Sequence, residues 1–252
     1  MFKTGIVSVT FRQLSSADVI SAAKSAGLEA IEWGGDIHVP PCSIEKAKAV
    51  GEATRAAGLE TVSYGSYYRL GGSMADFEAA KAAAEALGAP SIRIWAGSKN
   101  ACDTSEAERT ELVRELRDCA DSAARQGKVV ALEYHQGTLT SDAASAVRLA
   151  EEVGRGNLSL CWQPNQFLSF ERNAEDLELV LPFVSNVHVF AWEGYERLHL
   201  REHRVRWGRY LDILAASGRN HALLLEFVPD DDPACLPIEA AQLKAFIDDI
   251  RA

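Results

Sequence analysis

Six times in this chain a glycine closes an alanine-rich, helix-like stretch and a short apolar run begins almost at once. The runs cover residues 27–33, 58–64, 88–95, 127–133, 156–162 and 218–226. Glycine after a helix is the usual left-handed cap, because it carries no Cβ to clash. Runs that are apolar throughout and bounded by turns fit strands covered on both faces. Residues 5–9 and 186–190 supply two more such runs. Eight strands result, spaced by roughly thirty residues, the length of a βαβ unit.

Helices are predicted between them at residues 16–26, 43–57, 74–87, 105–126, 141–153 and 238–250, with shorter ones at 173–180 and 207–217. Ser105 and Glu108 have the spacing of a capping box. Strand and helix in alternation imply a parallel sheet, and eight units imply closure into a (β/α)8 barrel. A doubly wound open sheet is the competing architecture, but no GxGxxG follows the first strand. No linker or low-complexity tract divides the chain, so residues 1–252 are read as one domain. Residues 191–206, rich in Glu, Arg and His, form the longest irregular stretch. In a barrel they lie over the active face, as a solvated loop or as a lid gripping substrate.

Composition narrows the function. A formal net charge of −10, with no basic run, disfavours a nucleic-acid partner. No apolar stretch is long enough to span a membrane, and the N-terminus lacks a signal-peptide pattern. Five scattered cysteines without a CxxC pair point to a reducing cytoplasm.

Residues at the C-terminal ends of barrel strands converge on one pocket. Here those ends carry Glu32, Tyr64, Trp95, Glu133 with His135, Gln163, His188 and Glu226. Glu133 and Glu226 each follow a purely apolar run, and a buried carboxylate needs a cation or a strong donor beside it. One divalent cation shared by Glu133, Gln163, His188 and Glu226 meets that need. The donor types suit Mn²⁺, Mg²⁺ or Co²⁺, with Zn²⁺ also open. Structural pairing of the two glutamates with arginines such as Arg93 is the competing account. His135 shares the face of Glu133 and is assigned to substrate hydroxyls. His38, beyond the Gly34–Gly35 turn, is weighed evenly between site and turn. Tyr64 and Trp95 are read as walls for a sugar ring. Cys161 is read as a buried structural thiol rather than a nucleophile. Arg12, Arg69, Arg93, Arg197, Arg201 and Arg206 are candidate partners for a substrate phosphate or carboxylate, and Arg201 is assigned to substrate.

With these residues in view, the chain resembles the xylose-isomerase-like TIM-barrel superfamily along essentially its whole length. The specific stretches are Ile31-Glu32-Trp33-Gly34-Gly35-Asp36-Ile37-His38, Ala131-Leu132-Glu133-Tyr134-His135, Asn186-Val187-His188-Val189 and Leu225-Glu226-Phe227. The resemblance implies that Glu133, His188 and Glu226 bind a divalent metal, and that Glu133 and Glu226 form an acid/base pair. It also implies an Asp-x-x-His at the sixth strand. This chain has Gln163 at the Asp position and Gln166 at the His position. An amide oxygen ligates without charge, so weaker metal binding is expected, with Gln166 as a substrate contact.

The chemistry implied is removal of a proton beside a carbonyl, giving an enediolate. An isomerase or epimerase acting on a small carbohydrate ranks first. A lyase, either dehydratase or decarboxylase, ranks second, and a catalytically silent sugar-binding barrel third. A DNA-repair endonuclease requires more metal ligands and a positive surface. Homo-oligomers occur in such barrels, and nothing in the residues fixes one here.

Overall fold

The computed structural model describes residues 1–250, so the last two residues of the expected 1–252 domain lie outside it. Eight parallel strands close a barrel: β1 (Phe2–Val7), β2 (Ala30–Gly34), β3 (Glu60–Arg69), β4 (Ser91–Trp95), β5 (Val129–Glu133), β6 (Leu158–Trp162), β7 (Val184–Val189) and β10 (His221–Leu225). Neighbours in sequence are neighbours in the sheet, and β10 closes on β1 with Phe2 opposite His221 and Ile6 opposite Leu225. Helices α1 (Ser16–Ser25), α2 (Ile44–Ala56), α3 (Met74–Leu87), α4 (Glu106–Ala124), α5 (Ala143–Val153), α6 (Phe170–Val180), α7 (Arg204–Ala216) and α8 (Leu236–Asp249) alternate with the strands. The sequence pattern therefore gave the architecture correctly. None of these helices is long and apolar enough to cross a membrane.

Local chemistry explains the boundaries. Ser15, Ser73, Asp142 and Ser169 each accept a backbone N–H at the start of their helix. Ser105 and Glu108 form the reciprocal capping box. Gly27, Gly58, Gly88, Gly127 and Gly218 adopt the left-handed conformation the punctuation predicts. The exception is the sixth unit: α5 ends on Gly154 at φ 61° rather than on Gly156. The first strand also differs from expectation. It ends at Val7, and residues 8–11 wind into a 3-10 turn.

Alternation along each strand sorts side chains between two cores. The larger core fills the space between strands and helices, with Trp33, Trp162, Trp207 and Phe246 fully enclosed. A smaller one of Val7, Val9, Ala222 and Leu224 forms separately. The long 191–206 stretch is ordered. It contains a short antiparallel hairpin, β8 (Trp192–Glu193) and β9 (Glu196–Arg197), turned at Gly194, and a 3-10 turn at Leu200–His203.

Candidate active site

Arg93 points from β4 into the barrel and is 3% exposed. Its Nε donates to Glu32 Oε1 on β2 at 2.7 Å, and its Nη1 donates to Glu133 Oε2 on β5. Strand β3 runs between β2 and β4, so the guanidinium must pass over it. Gly65 on β3, in register with Arg93, makes that passage. A Cβ at position 65 would sit 2.5 Å from Arg93 Nη2 and 3.2 Å from Glu32 Oε1.

On the other side of the barrel, His188 of β7 is fully enclosed. Its Nδ1 lies 3.0 Å from Gln163 Oε1 and 3.2 Å from Glu226 Oε2. Its Nε2 lies 3.4 Å from Glu32 Oε1, which connects the two sides. Burial disfavours the charged form of every member. For Glu32 that cost is outweighed by Arg93 and His188, which hold the carboxyl at about 2. Burial likewise works against the His188 imidazolium, but Cys161, Glu226 and Glu32 raise its pKa well above the ordinary value. Glu226 is held below the usual carboxylate range, against burial, mainly by His188.

Glu133, Gln163 and Glu226 line one cavity of about 240 Å³ at the C-terminal end of the strands, together with Arg93, Trp95, His135 and Gln166. The apolar wall is Val9, Phe190, Trp192 and Phe227, and Arg12 and Tyr67 stand at the same cavity. His188 sits against Gln163 and Glu226. Six of the expected residues besides His188 are thus brought together.

Three assignments need correction. Tyr64 is fully enclosed and its hydroxyl donates to Val39 O at 2.8 Å, so it faces away from the cavity. A register shift between β2 and β3 at Ile31/Glu32 breaks simple alternation there and puts Gly65, not Tyr64, beside Glu32. His38 is buried edge-on to Trp33, with its Nε2 3.1 Å from Leu14 O, and serves the turn. Arg201 is exposed on the Leu200–His203 turn and lines no part of the cavity. Sequence reasoning assigned no site role to Glu32, Tyr67 or Phe227, and weighed Arg12 and Arg93 only as possible partners for a substrate anion, with Arg93 also as a structural partner of the glutamates. A detectable signal was the shared inward parity of Glu32, Arg93 and Glu133 on nearby strands.

Gln163 Oε1 and Glu226 Oε2 each lie from His188 Nδ1 at the separation that two donors on one cation require. Bonds of roughly 2.1 Å at right angles place neighbouring donors about 3 Å apart. The charges also fit: three carboxylates (Glu32, Glu133, Glu226) against one guanidinium leave two negative charges when His188 is neutral. Glu133 differs from the expected set, because Arg93 already engages its Oε2. A second trio, Glu32, Cys161 and His188, has donor atoms within 4.8 Å of one another, but Arg93 is bonded to Glu32 there.

The profile of a family described as "Xylose isomerase-like TIM barrel" matches residues 20–248. A 3-dehydroshikimate dehydratase of Bacillus anthracis is 29% identical over 217 residues, covering 79% of this chain and 75% of that protein. Among solved structures, a probable 3-DHS dehydratase of Bacillus anthracis superposes with a TM-score of 0.76 at 21% identity, over 97% of this chain and 99% of that one. A D-allulose 3-epimerase of Methylomonas sp. superposes with a TM-score of 0.71 at 15% identity, over 98% and 97%. At such identities the superpositions speak for the fold.

Proposed function

Because the chain belongs to the xylose isomerase-like TIM-barrel family, we propose that it is an isomerase or epimerase that moves a proton beside the carbonyl of a small carbohydrate. The observation that carries this reading is the presence of Glu133 and Glu226 on one small cavity with polar groups suited to hydroxyls. The two carboxylates have different duties. The Glu133 carboxylate is already engaged by Arg93 in a buried ion pair. Among the described residues Glu226 pairs only with His188 and no arginine is bonded to it, so it is the group assigned to take a proton from carbon. If Glu226 returns that proton to the neighbouring carbon while the hydroxyl proton passes to the former carbonyl oxygen, the carbonyl shifts and an isomer results. An epimer requires Glu133 to enter the cycle protonated, its Arg93 contact loosened, and to give that proton to the opposite face, so that Glu226 ends protonated and Glu133 ionised.

The remaining side chains bind and orient. His135 and Gln166 reach substrate hydroxyls, Trp95 offers a ring face, and Phe190, Trp192 and Phe227 exclude water. A divalent cation held by Gln163, His188 and Glu226 would supply Lewis acidity toward the carbonyl oxygen.

The ion pair on Glu133 and the 29% identity to a 3-dehydroshikimate dehydratase favour a second reading, that of a lyase. In that case Glu226 removes the same proton and a β-hydroxyl departs as water. Both readings are tested by incubating the protein, with Mn²⁺ or Co²⁺ added, with ketoses and 3-oxo acids in D₂O. Deuterium beside the carbonyl in a product that keeps all its hydroxyls supports isomerisation or epimerisation. A conjugated enone absorbing in the ultraviolet supports the lyase. Exchange on no substrate of either kind removes both.

A further inference from the structure

Six arginines were candidates for contacting an anionic substrate group, and the structure separates them by their partners. Arg12 pairs with Asp36, Arg93 with Glu32 and Glu133, Arg197 with Asp231, and Arg206 with Glu193. Arg69 and Arg201 have no carboxylate within 4.0 Å among the described residues. Arg201 lies away from the cavity, whereas Arg69 is built into its surroundings. The Arg69 guanidinium carbon stacks 3.6 Å over the centre of the Trp95 ring, and Nη1 donates to Gly97 O at 3.2 Å. Trp95 is itself a wall of the catalytic cavity, with His135 packed 4.7 Å from it. Partial burial lowers the Arg69 pKa, and the charge of Glu133 works in the opposite direction.

Arg69 lines an open groove of about 690 Å³ that also contains Ser66, Ser98 and Gly71. The only carboxylate on that groove, Asp76, is not paired with Arg69. Tyr67 borders both the groove and the catalytic cavity. It holds this place at φ 59°, a conformation costly for an aromatic residue, and receives a hydrogen bond from Arg12 Nη2 to its hydroxyl at 2.7 Å. A strained backbone fixed by a second arginine makes a firm step between the two spaces.

Resting on the carbohydrate reading above, we propose that the substrate is anionic: its reacting carbons lie in the cavity beside Glu226, and its carboxylate or phosphate group crosses Tyr67 to bind Arg69 in the groove. A stacked, pre-oriented guanidinium with unused N–H donors suits a planar or tetrahedral oxyanion, and stacking limits the side-chain ordering lost on binding. Arg69 is exposed, so a neutral sugar would leave its free N–H donors to water.

The test is a binding experiment that needs no turnover. The protein is titrated at low ionic strength with inorganic phosphate and, separately, with malonate. Trp95 emission is the signal, and Trp95→Phe identifies its share. One or both anions should bind saturably, and Arg69→Met should weaken binding by about tenfold or more, as expected for a lost charge-assisted contact. Arg69→Lys, which keeps the charge without the fork, should recover part of the loss. A preference for phosphate assigns a phosphate ester, and a preference for malonate a sugar acid. Equal binding by wild type and Arg69→Met, or no binding of either anion, overturns the proposal. Turnover of a neutral ketose unaffected by Arg69→Met would also overturn it, while leaving the proton-transfer reading intact.

Discussion

The two sides of the barrel mouth use the same kinds of side chain to opposite ends. Along β2, β4 and β5, Glu32 and Glu133 close around Arg93, and the charges are internally paired. Along β6, β7 and the strand before Glu226, Gln163 Oε1 and Glu226 Oε2 lie 3.0 Å and 3.2 Å from His188 Nδ1, with no side-chain cation bonded to them except a protonated His188. The first arrangement is complete as folded. The second requires either a proton on the imidazole or a metal ion. A buried carboxylate therefore does not by itself identify a ligand: what decides is whether an arginine on a nearby strand reaches it first.

The largest expected effect tests this division at the catalytic groups. Glu226→Gln should lower turnover by about 10²- to 10⁴-fold, the contribution of a positioned general base, and should also abolish stoichiometric divalent binding in a calorimetric titration. Glu133→Gln should damage turnover but leave metal affinity nearly unchanged. Equal loss of metal in both variants would mean that the two sides act as one ligand set. Next in size, Arg93→Met leaves two carboxylates buried without their cation and should cost about 3–5 kcal/mol in chemical denaturation. Adding Glu32→Gln should restore part of that loss, and a stability equal to wild type would show that the pair carries little. On the donor-rich side, Gln163→Asp supplies a charged oxygen and should tighten Mn²⁺ or Co²⁺ by about tenfold. An unchanged titration places Gln163 outside the coordination sphere. The smallest effect belongs to Cys161→Ser, expected to cost less than about 1.5 kcal/mol with turnover largely kept. Loss of turnover at full stability would give the thiol a chemical role.

Much of the fold was legible because its signals are local. A glycine cap, a capping box and an apolar run are each decided within a few residues, as Ser105 with Glu108 illustrates. Where the rule failed, the cause was also local: Gly154 met the requirement for a left-handed residue before Gly156 could. The site was harder to read, since its partnerships join distant parts of the chain. Trp95 and His135 share the parity of Arg93 and Glu133 and reach the cavity as alternation predicts. Tyr64 does not, because the register shift beside it cannot be seen in composition or period. The choice of Arg93 for Glu133 rather than Glu226 depends on strand order and on an empty position at Gly65, and neither is written in the neighbourhood of any one of these residues.

The close fit of Gly65 to the Arg93 guanidinium makes these two positions a single unit under mutation. Alanine at 65 is blocked while arginine stands at 93, and removing Arg93 alone strands its carboxylates. Position 65 can therefore change only once Arg93 has, and Arg93 can change at low cost only together with a carboxylate it pairs, so the order of substitutions is constrained. A four-ligand centre engineered into this barrel would therefore need Arg93 and Glu32 replaced together to release Glu133, and a library that varies one residue at a time would not reach it.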